Sequence, residues 1–347
     1  MAYCEPDLLV FNRGLEKQLL VRNQWKTAKH PSEEGTIIHP ALLTTEKKPT
    51  AVTSPISLTP IPGFETRVGS MGSNGSDYLL KSEQDKDLNA ATWVTSSTNG
   101  VTDTLLHCRT IFYEHIPRID YFNPAKSTIV SVNLKTIGKR IGYIEGAGDK
   151  VTDVLSAMGY QVIKLNENNI TMSFLENLDA VITGVRAYDV HDWLAGKYEV
   201  LMNYVKNGGN LIVQYNRNRG TDSTGMGPYP FVISNIRVTE EDAAVNFLIP
   251  DHPVLHFPNE IKEKDFEGWI QERGIYFAQR MDPHYQAVFS MHDSGEPDQN
   301  GSLIIAGYGK GTFSYTGLVF FRELPAGVPG AYRLFANLIA LNQHSEK

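Results

Sequence analysis

The chain has 347 residues, of which 41% are hydrophobic and 20% charged, so it is long enough to form two domains with separate cores. Its 32 basic and 39 acidic residues give a formal net charge of -7, which argues against nucleic acid as a partner. There is no apolar run of membrane-spanning length and no signal-peptide pattern at the start, so we expect no membrane span, and the localisation stays open. With only Cys4 and Cys108, the sequence predicts no disulfide framework and no cysteine metal site, and we expect no metal and no cofactor.

The first part of the chain changes character once. Residues 1–65 are rich in Pro, Thr, Ser and charge without a sustained period, which predicts an irregular leader. Residues 66–137 contain short β-type runs separated by turn residues, which predicts a partial β-domain. The runs are Ala91–Ser96, Thr104–His107, Thr110–Tyr113 and Ser127–Val132.

From residue 138 to residue 347 the pattern alternates between strand and helix. The predicted strands are Arg140–Ile144, Tyr160–Leu165, Ala180–Thr183 and Asn210–Gln214, and the helices between them are Lys150–Met158, Met172–Leu178 and Tyr198–Val205. Further strands are predicted at Val232–Ile236, Ala287–Met291, Ser302–Tyr308 and Gly311–Leu318, with a closing helix at Gly330–Asn342. This succession predicts an α/β domain with a flavodoxin-like parallel sheet and helices on both faces.

The loop after Ala180–Thr183 carries Arg186 and Tyr188. In an open α/β sheet, the loops at the carboxyl ends of the strands form the ligand crevice. A guanidinium at such a position suits a carboxylate or a hydroxyl-rich ligand because its donors form a fixed, paired fork. The alternative is that Arg186 only braces the loop through an internal ion pair.

The loop after Asn210–Gln214 continues with Tyr215, Asn216 and Arg217. If the sheet is parallel, these polar side chains converge with Arg186 at the same edge. They provide a hydrogen-bonding surface for a polar small ligand. They do not make a hydrolase by themselves, because nucleophilic catalysis needs a nucleophile beside a base.

A third loop, Glu145-Gly146-Ala147-Gly148-Asp149, follows the first predicted strand, where a phosphate-binding turn would lie. The third glycine of a dinucleotide fingerprint is replaced by Val151, and two carboxylates would repel a pyrophosphate. We therefore interpret this loop as a tight turn in which Asp149 caps the helix.

Two segments resemble a known family. The strand–helix order from residue 138 resembles the class I glutamine amidotransferase-like fold, and Pro250-Asp251-His252-Pro253-Val254 resembles its trehalose-utilisation (ThuA-like) branch. In amidotransferases a cysteine occupies the sharp turn that would correspond to the one after Asn210–Gln214. Here that turn is Gln214-Tyr215-Asn216, so the resemblance implies the fold without the amidotransferase reaction.

A second resemblance covers residues 110–342. The strings GYIEGAGDKV, ITGVRAYDV, YVKNGGNLIVQYN, DFEGWIQERGIYF and FFRELPAGVPGAYRLFANL look like the C-terminal region of bacterial PIG-L (LmbE-like) deacetylase-family proteins. In that family a zinc-dependent domain with a His-Pro-x-Asp-Asp motif deacetylates N-acetyl sugars, and relatives are typically exported. The string His30-Pro31-Ser32-Glu33-Glu34 lacks the preceding apolar strand, so we interpret it as a chance match. The resemblance implies a carbohydrate-associated accessory role with a deacetylase domain as a candidate partner.

A second candidate ligand cluster lies later in the chain, at Trp269, Gln271, Glu272, Arg273 and Arg322. A tryptophan beside polar and charged side chains is typical of sugar binding, because its face packs on the ring and the others bind hydroxyl groups. The alternative is that Trp269 lies in the core and the charged residues form buried structural pairs.

Three functions remain open. The preferred one is a non-catalytic module that binds a carbohydrate or other polar small ligand at the carboxyl edge of the sheet. The second is a hydrolase in which Asp251, His252 or Glu272 activates water. The third is a purely structural domain that docks on a deacetylase domain.

Overall fold

The structure is a computed structural model. It describes residues 8–12, 18–21, 25–27, 36–40, 56–72, 75–82, 87–98, 101–104, 106–111, 113–124, 126–217 and 225–344. The chain divides into two compact units, Met1–Asn133 and Leu134–Lys347. The division therefore falls slightly before residue 138, where the sequence predicts the start of the α/β domain.

The first unit is built of β-strands. They are β1 (Leu8–Asn12), β2 (Gln18–Val21), β3 (Trp25–Thr27), β4 (Thr36–Pro40), β5 (Ile56–Leu58), β6 (Phe64–Gly72), β7 (Gly75–Ser82), β8 (Leu88–Thr98), β9 (Val101–Thr104), β10 (Leu106–Ile111), β11 (Ile119–Pro124) and β12 (Lys126–Val132). One sheet has the order β2-β1-β12-β8-β5 with β9 added to β8, a second has the order β3-β4-β7-β6, and β10 pairs with β11.

Several of these strands lie in the segment 1–65, for which the sequence predicts an irregular leader. β1 pairs in parallel with β12, with Leu9 opposite Ile129. The two strands are far apart along the chain, so no local sequence pattern predicts that they pair. Where the sequence predicts irregular structure, the structure therefore has strands, of which some pair with a neighbour, such as β1 with β2, and others with a distant strand.

The second unit contains thirteen of the strands in the described residues. They are β13 (Arg140–Ile144), β14 (Gln161–Leu165), β15 (Ala180–Thr183), β16 (Asn210–Gln214), β17 (Val232–Ile233), β18 (Arg237–Val238), β19 (Asn246–Phe247), β20 (Gly274–Ile275), β21 (Ala278–Gln279), β22 (Gln286–Ala287), β23 (Phe289–Ser290), β24 (Leu303–Tyr308) and β25 (Gly311–Thr316). The main sheet has the order β14-β13-β15-β16-β25-β24-β22. Its first five strands are parallel and follow the flavodoxin-like order, and β24 and β22 extend it antiparallel.

Helices cover both faces of this sheet. They are α1 (Val151–Ala157), α2 (Met172–Leu175), α3 (Ala187–Val190), α4 (Tyr198–Lys206), α5 (Phe320–Ala326) and α6 (Pro329–Ala340), with short 3-10 helices at Asp192–Lys197, Pro253–Leu255, Glu263–Phe266 and Leu341–His344. α2 and α4 contact each other, whereas α5 contacts both α1 and α6. The expected α/β fold, a parallel sheet between two helix layers, is confirmed.

Side-chain alternation along the central strands explains the two layers. Val181 and Val213 pack in one core cluster with Leu201 and Val205 of α4. The side chain of Asn210 points to the opposite face, where its amide donates to the carbonyl oxygens of Leu338 and Ile339 in α6, at 2.8 and 3.0 Å. Both faces are covered, so these strands carry continuous apolar runs instead of alternating ones.

Helix α5 is one of the elements that the sequence analysis did not anticipate. Pro325 lies inside it, in its last turn, and a proline normally ends a helix. The helix stops two residues later at Gly327, which has a left-handed backbone with a φ of 79°.

In the part of the chain that the structure describes, no helix is long and apolar enough to cross a membrane.

Candidate functional site

Loops from three neighbouring parallel strands meet at one edge of the sheet. β15 leads into Arg186, β16 leads into Tyr215, and β25 leads into the segment that contains Phe321 and Arg322. Because parallel strands end at the same side, their carboxyl-terminal loops form one surface. This edge is the candidate functional site.

Arg186 lies in a sharp turn between β15 and α3. Its backbone is left-handed, with φ 60° and ψ 26°, a conformation that costs a non-glycine residue about 1 kcal/mol. The turn is held because the backbone N–H of Arg186 donates to the carbonyl oxygen of Tyr215, at 2.7 Å. The family resemblance pointed to a sharp turn after β16, whereas the left-handed residue follows β15.

Asp189 connects the loops after β15 and β16. Its side chain is only 3% exposed, and one of its oxygens, Oδ2, accepts from the Nε atoms of Arg186 at 3.4 Å and Arg217 at 3.1 Å. The same oxygen accepts from the backbone N–H of Arg217, at 3.2 Å. The predicted internal ion pair of Arg186 therefore exists, and Arg217 shares it.

Tyr188 and Asn216 support the loops from within. The amide of Asn216 is fully buried, accepts from the backbone N–H of Tyr188 at 3.0 Å and donates to the carbonyl oxygen of Gln214 at 3.0 Å. Tyr188 packs against the core, and burial raises the pKa of its hydroxyl group well above the usual value. These two predicted ligand residues hold the loops in place, since their polar atoms are directed into the protein.

Five residues gather around the Tyr215 ring, and with Tyr215 itself we call them the Tyr215 cluster. They are Arg186, Tyr215, Glu272, Tyr276, Phe321 and Arg322. The ring centroid of Tyr215 lies 5.5 Å from that of Tyr276 and 5.5 Å from that of Phe321. The structure thus joins Arg186 of the first predicted group with Glu272 and Arg322 of the second.

Arg322 is held on two sides within the cluster. Its guanidinium lies 5.0 Å from the centre of the Phe321 ring, and its Nη2 lies 3.1 Å from Oε1 of Glu272. Burial raises the pKa of Glu272, although Arg322 and Arg237 act in the opposite direction. This ion pair is therefore partly desolvated and close to the edge of the sheet.

The hydroxyl group of Tyr215 lies between charged neighbours. Burial raises its pKa to about 12, whereas the positive charges of Arg322 and Arg186 lower it and Glu272 raises it. Tyr215 is 9% exposed, and its hydroxyl group makes no hydrogen bond to any other described residue. A largely buried phenol without an acceptor among the described residues thus lies beside two guanidinium groups.

Trp269 and Arg273 lie in the core, away from any free surface. Trp269 is 2% exposed, its indole N–H donates to the carbonyl oxygen of Asp265 at 3.0 Å, and its ring stacks on Phe266. Arg273 donates to the carbonyl oxygens of Ala243 and Phe266. The expectation that Trp269 offers a face to a sugar is corrected here, because neighbouring aromatic rings cover it.

Gln271 directly precedes Glu272 of the Tyr215 cluster in the sequence, but in the structure it contributes a turn and a backbone hydrogen bond. It is exposed and has a left-handed φ of 67°. Its backbone N–H donates to Oε1 of Glu241, at 2.5 Å. The turn at Gln271 is what brings Glu272 inward toward Arg322.

The proposed acid–base residues Asp251, His252 and Glu272 are engaged in separate contacts. His252 is buried, and its Nδ1 accepts from the backbone N–H of Val254 at 3.1 Å at the start of a 3-10 helix. Burial also lowers its pKa, so it is neutral near pH 7. Asp251 is exposed and acts electrostatically on His256. His252 therefore caps the 3-10 helix Pro253–Leu255.

A partly buried carboxyl group connects the loops after β13 and β15. Asp149 accepts from the hydroxyl group of Tyr143 at 2.7 Å, and from the backbone N–H groups of Val151 at 3.0 Å and Val185 at 3.3 Å. A Cβ at Gly184 would lie 2.7 Å from Oδ2 of Asp149, so the contact requires glycine there. The N-cap of α1 is Lys150, one residue after the predicted cap, and its side chain makes no capping hydrogen bond. Asp149 instead binds the first backbone N–H of α1 from the preceding position, and it also fixes the neighbouring loop.

Some features of the site were not among the predicted site residues. Tyr276 and Phe321 are aromatic residues in irregular or unpredicted segments, and nothing local distinguishes them from core residues. Tyr215, by contrast, directly follows a predicted strand, and the sequence analysis therefore placed it in the loop that converges with Arg186. Among the described residues, no group of three or more His, Cys, Asp or Glu side chains could hold a metal ion. The motif at His30, together with Asn218 and Arg219, lies outside the described residues.

The fold and the site define an α/β protein with flavodoxin-like strand order and a polar, aromatic cluster at the carboxyl edge. No protein-family model matches the chain, and no curated protein matches its sequence. Among solved structures, a protein described as ThuA-like from Bacteroides uniformis is 9% identical, with a TM-score of 0.39, and the match covers 60% of this chain and 93% of that one.

A protein from Thermoplasma acidophilum, described as part of a GMP synthase, is 12% identical, with a TM-score of 0.35, over 60% of this chain and 97% of that one. A β-galactosidase from Rahnella sp. R3 is 14% identical, with a TM-score of 0.33, over 57% of this chain and 31% of that one. The fold assignment rests on the strand order and the two helix layers described above.

Proposed function

We propose that the unit Leu134–Lys347 is a non-catalytic binding module that takes a carbohydrate or other polar small ligand at the carboxyl edge of its sheet. The observation that carries this proposal is the Tyr215 cluster. Two guanidinium groups from different strand ends, a phenol without a hydrogen-bond partner among the described residues and two partly exposed aromatic rings meet there. Such a set can bind hydroxyl groups and pack on the apolar face of a sugar ring.

The composition of the cluster favours binding over catalysis. Nucleophilic catalysis needs a nucleophile within hydrogen-bond reach of a base. The one carboxyl group of the cluster, Glu272, is paired with Arg322. The hydrolase alternative is weakened further because His252 uses its Nδ1 to cap a helix.

The resemblance to the C-terminal region of PIG-L (LmbE-like) proteins supports an accessory role beside a deacetylase. Under this proposal the catalytic zinc belongs to that partner, and this module supplies recognition of the glycan. The alternative, a purely structural docking domain, predicts binding to the partner without any response to small ligands.

A ligand screen on the full chain tests the proposal. Thermal shift with neutral sugars, N-acetyl sugars and sugar acids should reveal a stabilising ligand, and NMR titration should give its affinity. The effect should disappear in Arg186→Ala and persist in Arg140→Ala, since Arg140 is exposed at the opposite end of β13. If no sugar of any class binds, the proposal is refuted and the docking alternative is favoured.

A further inference from the structure

The Tyr215 cluster carries more positive than negative charge around its phenol. Arg186 and Arg322 both act on the Tyr215 hydroxyl group, against the single carboxyl group of Glu272. Asp189 neutralises Arg186 only in part, because it is shared with Arg217. Within the cluster itself, two guanidinium groups therefore stand beside one carboxyl group, and a ligand with one negative charge would suit this surplus of positive charge.

Two donors in the cluster lack acceptors within the described residues. The Nε atom of Arg322 is buried and has no hydrogen-bond partner among the described residues, and no described residue accepts from the hydroxyl group of Tyr215. Leaving a buried donor without an acceptor is unfavourable, so an acceptor brought by a ligand would stabilise the site. A carboxylate offers two acceptor oxygens and gains most from charged donors, so it suits this pair better than a neutral hydroxyl group.

The other residues of the cluster favour a ligand with a ring over a small inorganic anion. Tyr276 and Phe321 flank the Tyr215 ring and are partly exposed, so they can pack on a ring that carries C–H groups. Glu272 can accept from ligand hydroxyl groups. It would also repel a phosphate, which carries up to two negative charges, more strongly than it would a carboxylate.

We infer that the ligand of the Tyr215 cluster is a sugar acid, with its carboxylate between Arg186 and Arg322 and its hydroxyl groups toward Glu272. This inference rests on the proposed function and narrows it from polar ligands in general to hydroxylated carboxylates. The Tyr276 and Phe321 rings contact the sugar ring, and the Tyr215 hydroxyl group donates to the carboxylate.

Matched pairs of sugars isolate the carboxylate. D-glucuronate differs from D-glucose, and D-galacturonate from D-galactose, only by a carboxylate in place of a hydroxymethyl group. On the full chain, titration followed by NMR should show at least one acid binding roughly tenfold to hundredfold more tightly than its neutral partner. The preference should decrease as NaCl is raised, because salt screens partly exposed charges.

Three variants assign the effect to residues. Arg186→Gln removes a charge from a half-exposed side chain, and Arg322→Lys keeps the charge but loses the planar fork. Each should reduce the acid-over-neutral preference roughly tenfold. Arg140→Gln, at the far edge of the sheet, should leave it unchanged. Urea unfolding of each variant separates loss of binding from loss of folding.

The outcomes distinguish this inference from the proposed function. If neutral sugars bind as tightly as their acids, the inference is wrong and the binding function stands. If acetate or inorganic phosphate binds as tightly as the uronates, the cluster is only an anion site and the inference is wrong. If neither acids nor neutral sugars bind, both proposals fail.

Discussion

The backbone N–H of Arg186 donates to the carbonyl oxygen of Tyr215 across 2.7 Å, and this bond joins the loops that follow β15 and β16. It fixes a residue with a left-handed backbone at the end of a central strand. Strained residues of this kind are retained where the surrounding structure holds them in place, often at functional sites. This hydrogen bond therefore fixes the two loops at the carboxyl edge of the sheet, and with them the relative positions of Arg186 and Tyr215 in the Tyr215 cluster.

Substitutions at Arg186 should separate backbone strain from side-chain function. Arg186→Gly and Arg186→Ala both remove the guanidinium group, but only glycine adopts a φ of 60° without steric strain. We expect Arg186→Gly to be more stable than Arg186→Ala by about 1 kcal/mol in urea unfolding. Both should lose ligand binding equally. Equal stability of the two variants would show that the turn is not strained.

Glu323 should make the protein less stable as the pH rises. It is 0% exposed, and its carboxyl oxygens accept from the backbone N–H of Ile270 at 3.2 and 3.1 Å. Burial raises its pKa from 4.5 to about 9, although Arg273 and Arg322 oppose the shift. The native state then binds this proton more tightly than the unfolded state, so the stabilisation is complete below pH 4.5 and is lost as the pH rises toward 9.

The variant Glu323→Gln provides the test, because glutamine keeps an acceptor for Ile270 and cannot ionise. We expect the free energy of unfolding of the native protein to fall between pH 5 and pH 9 more steeply than that of the variant. Urea unfolding at several pH values measures both slopes. Parallel curves would mean that Glu323 does not titrate in this range.

Asp149 should stabilise two loops at once. Replacement by alanine leaves the hydroxyl group of Tyr143 and the backbone N–H of Val185 without their acceptor, which should reduce stability by roughly 2 kcal/mol or more. Asp149→Asn retains one acceptor oxygen and should lose less. Hydrogen exchange at Val185 should accelerate in the alanine variant, and an unchanged rate would contradict the role given to Asp149.

Trp269 should matter for stability and not for binding. Its ring is enclosed by Phe266 and Phe320, so Trp269→Phe should lower the free energy of unfolding by about 1–3 kcal/mol. The affinity for D-glucuronate should stay within about twofold of the original value, well below the effect of one hydrogen bond. If the variant folds but has lost its affinity for D-glucuronate, Trp269 is part of the binding site and this prediction is wrong.

The strands of the central sheet could be predicted because their signal is local. Ala180–Thr183 and Asn210–Gln214 are apolar runs that end at turn residues, and the structure gives them the same bounds. Of the two-residue strands in the later part, β17 lies within the predicted strand Val232–Ile236, which the structure shortens. β18 has no period to detect, since its pairing with β20 forms only in the folded chain. Helix α5 was missed because Pro325 locally argues against it.

The sequence by itself determined the class of fold and the loops that meet at one edge, because strand–helix alternation and the parallel sheet rule are local and topological. It also selected Arg186, Glu272 and Arg322, though as members of two separate groups. Only the tertiary structure decided that these three surround Tyr215 while Trp269 lies in the core. The reason is physical: burial and orientation of a side chain depend on which distant elements pack against it, and these packing partners are not written in the neighbouring residues.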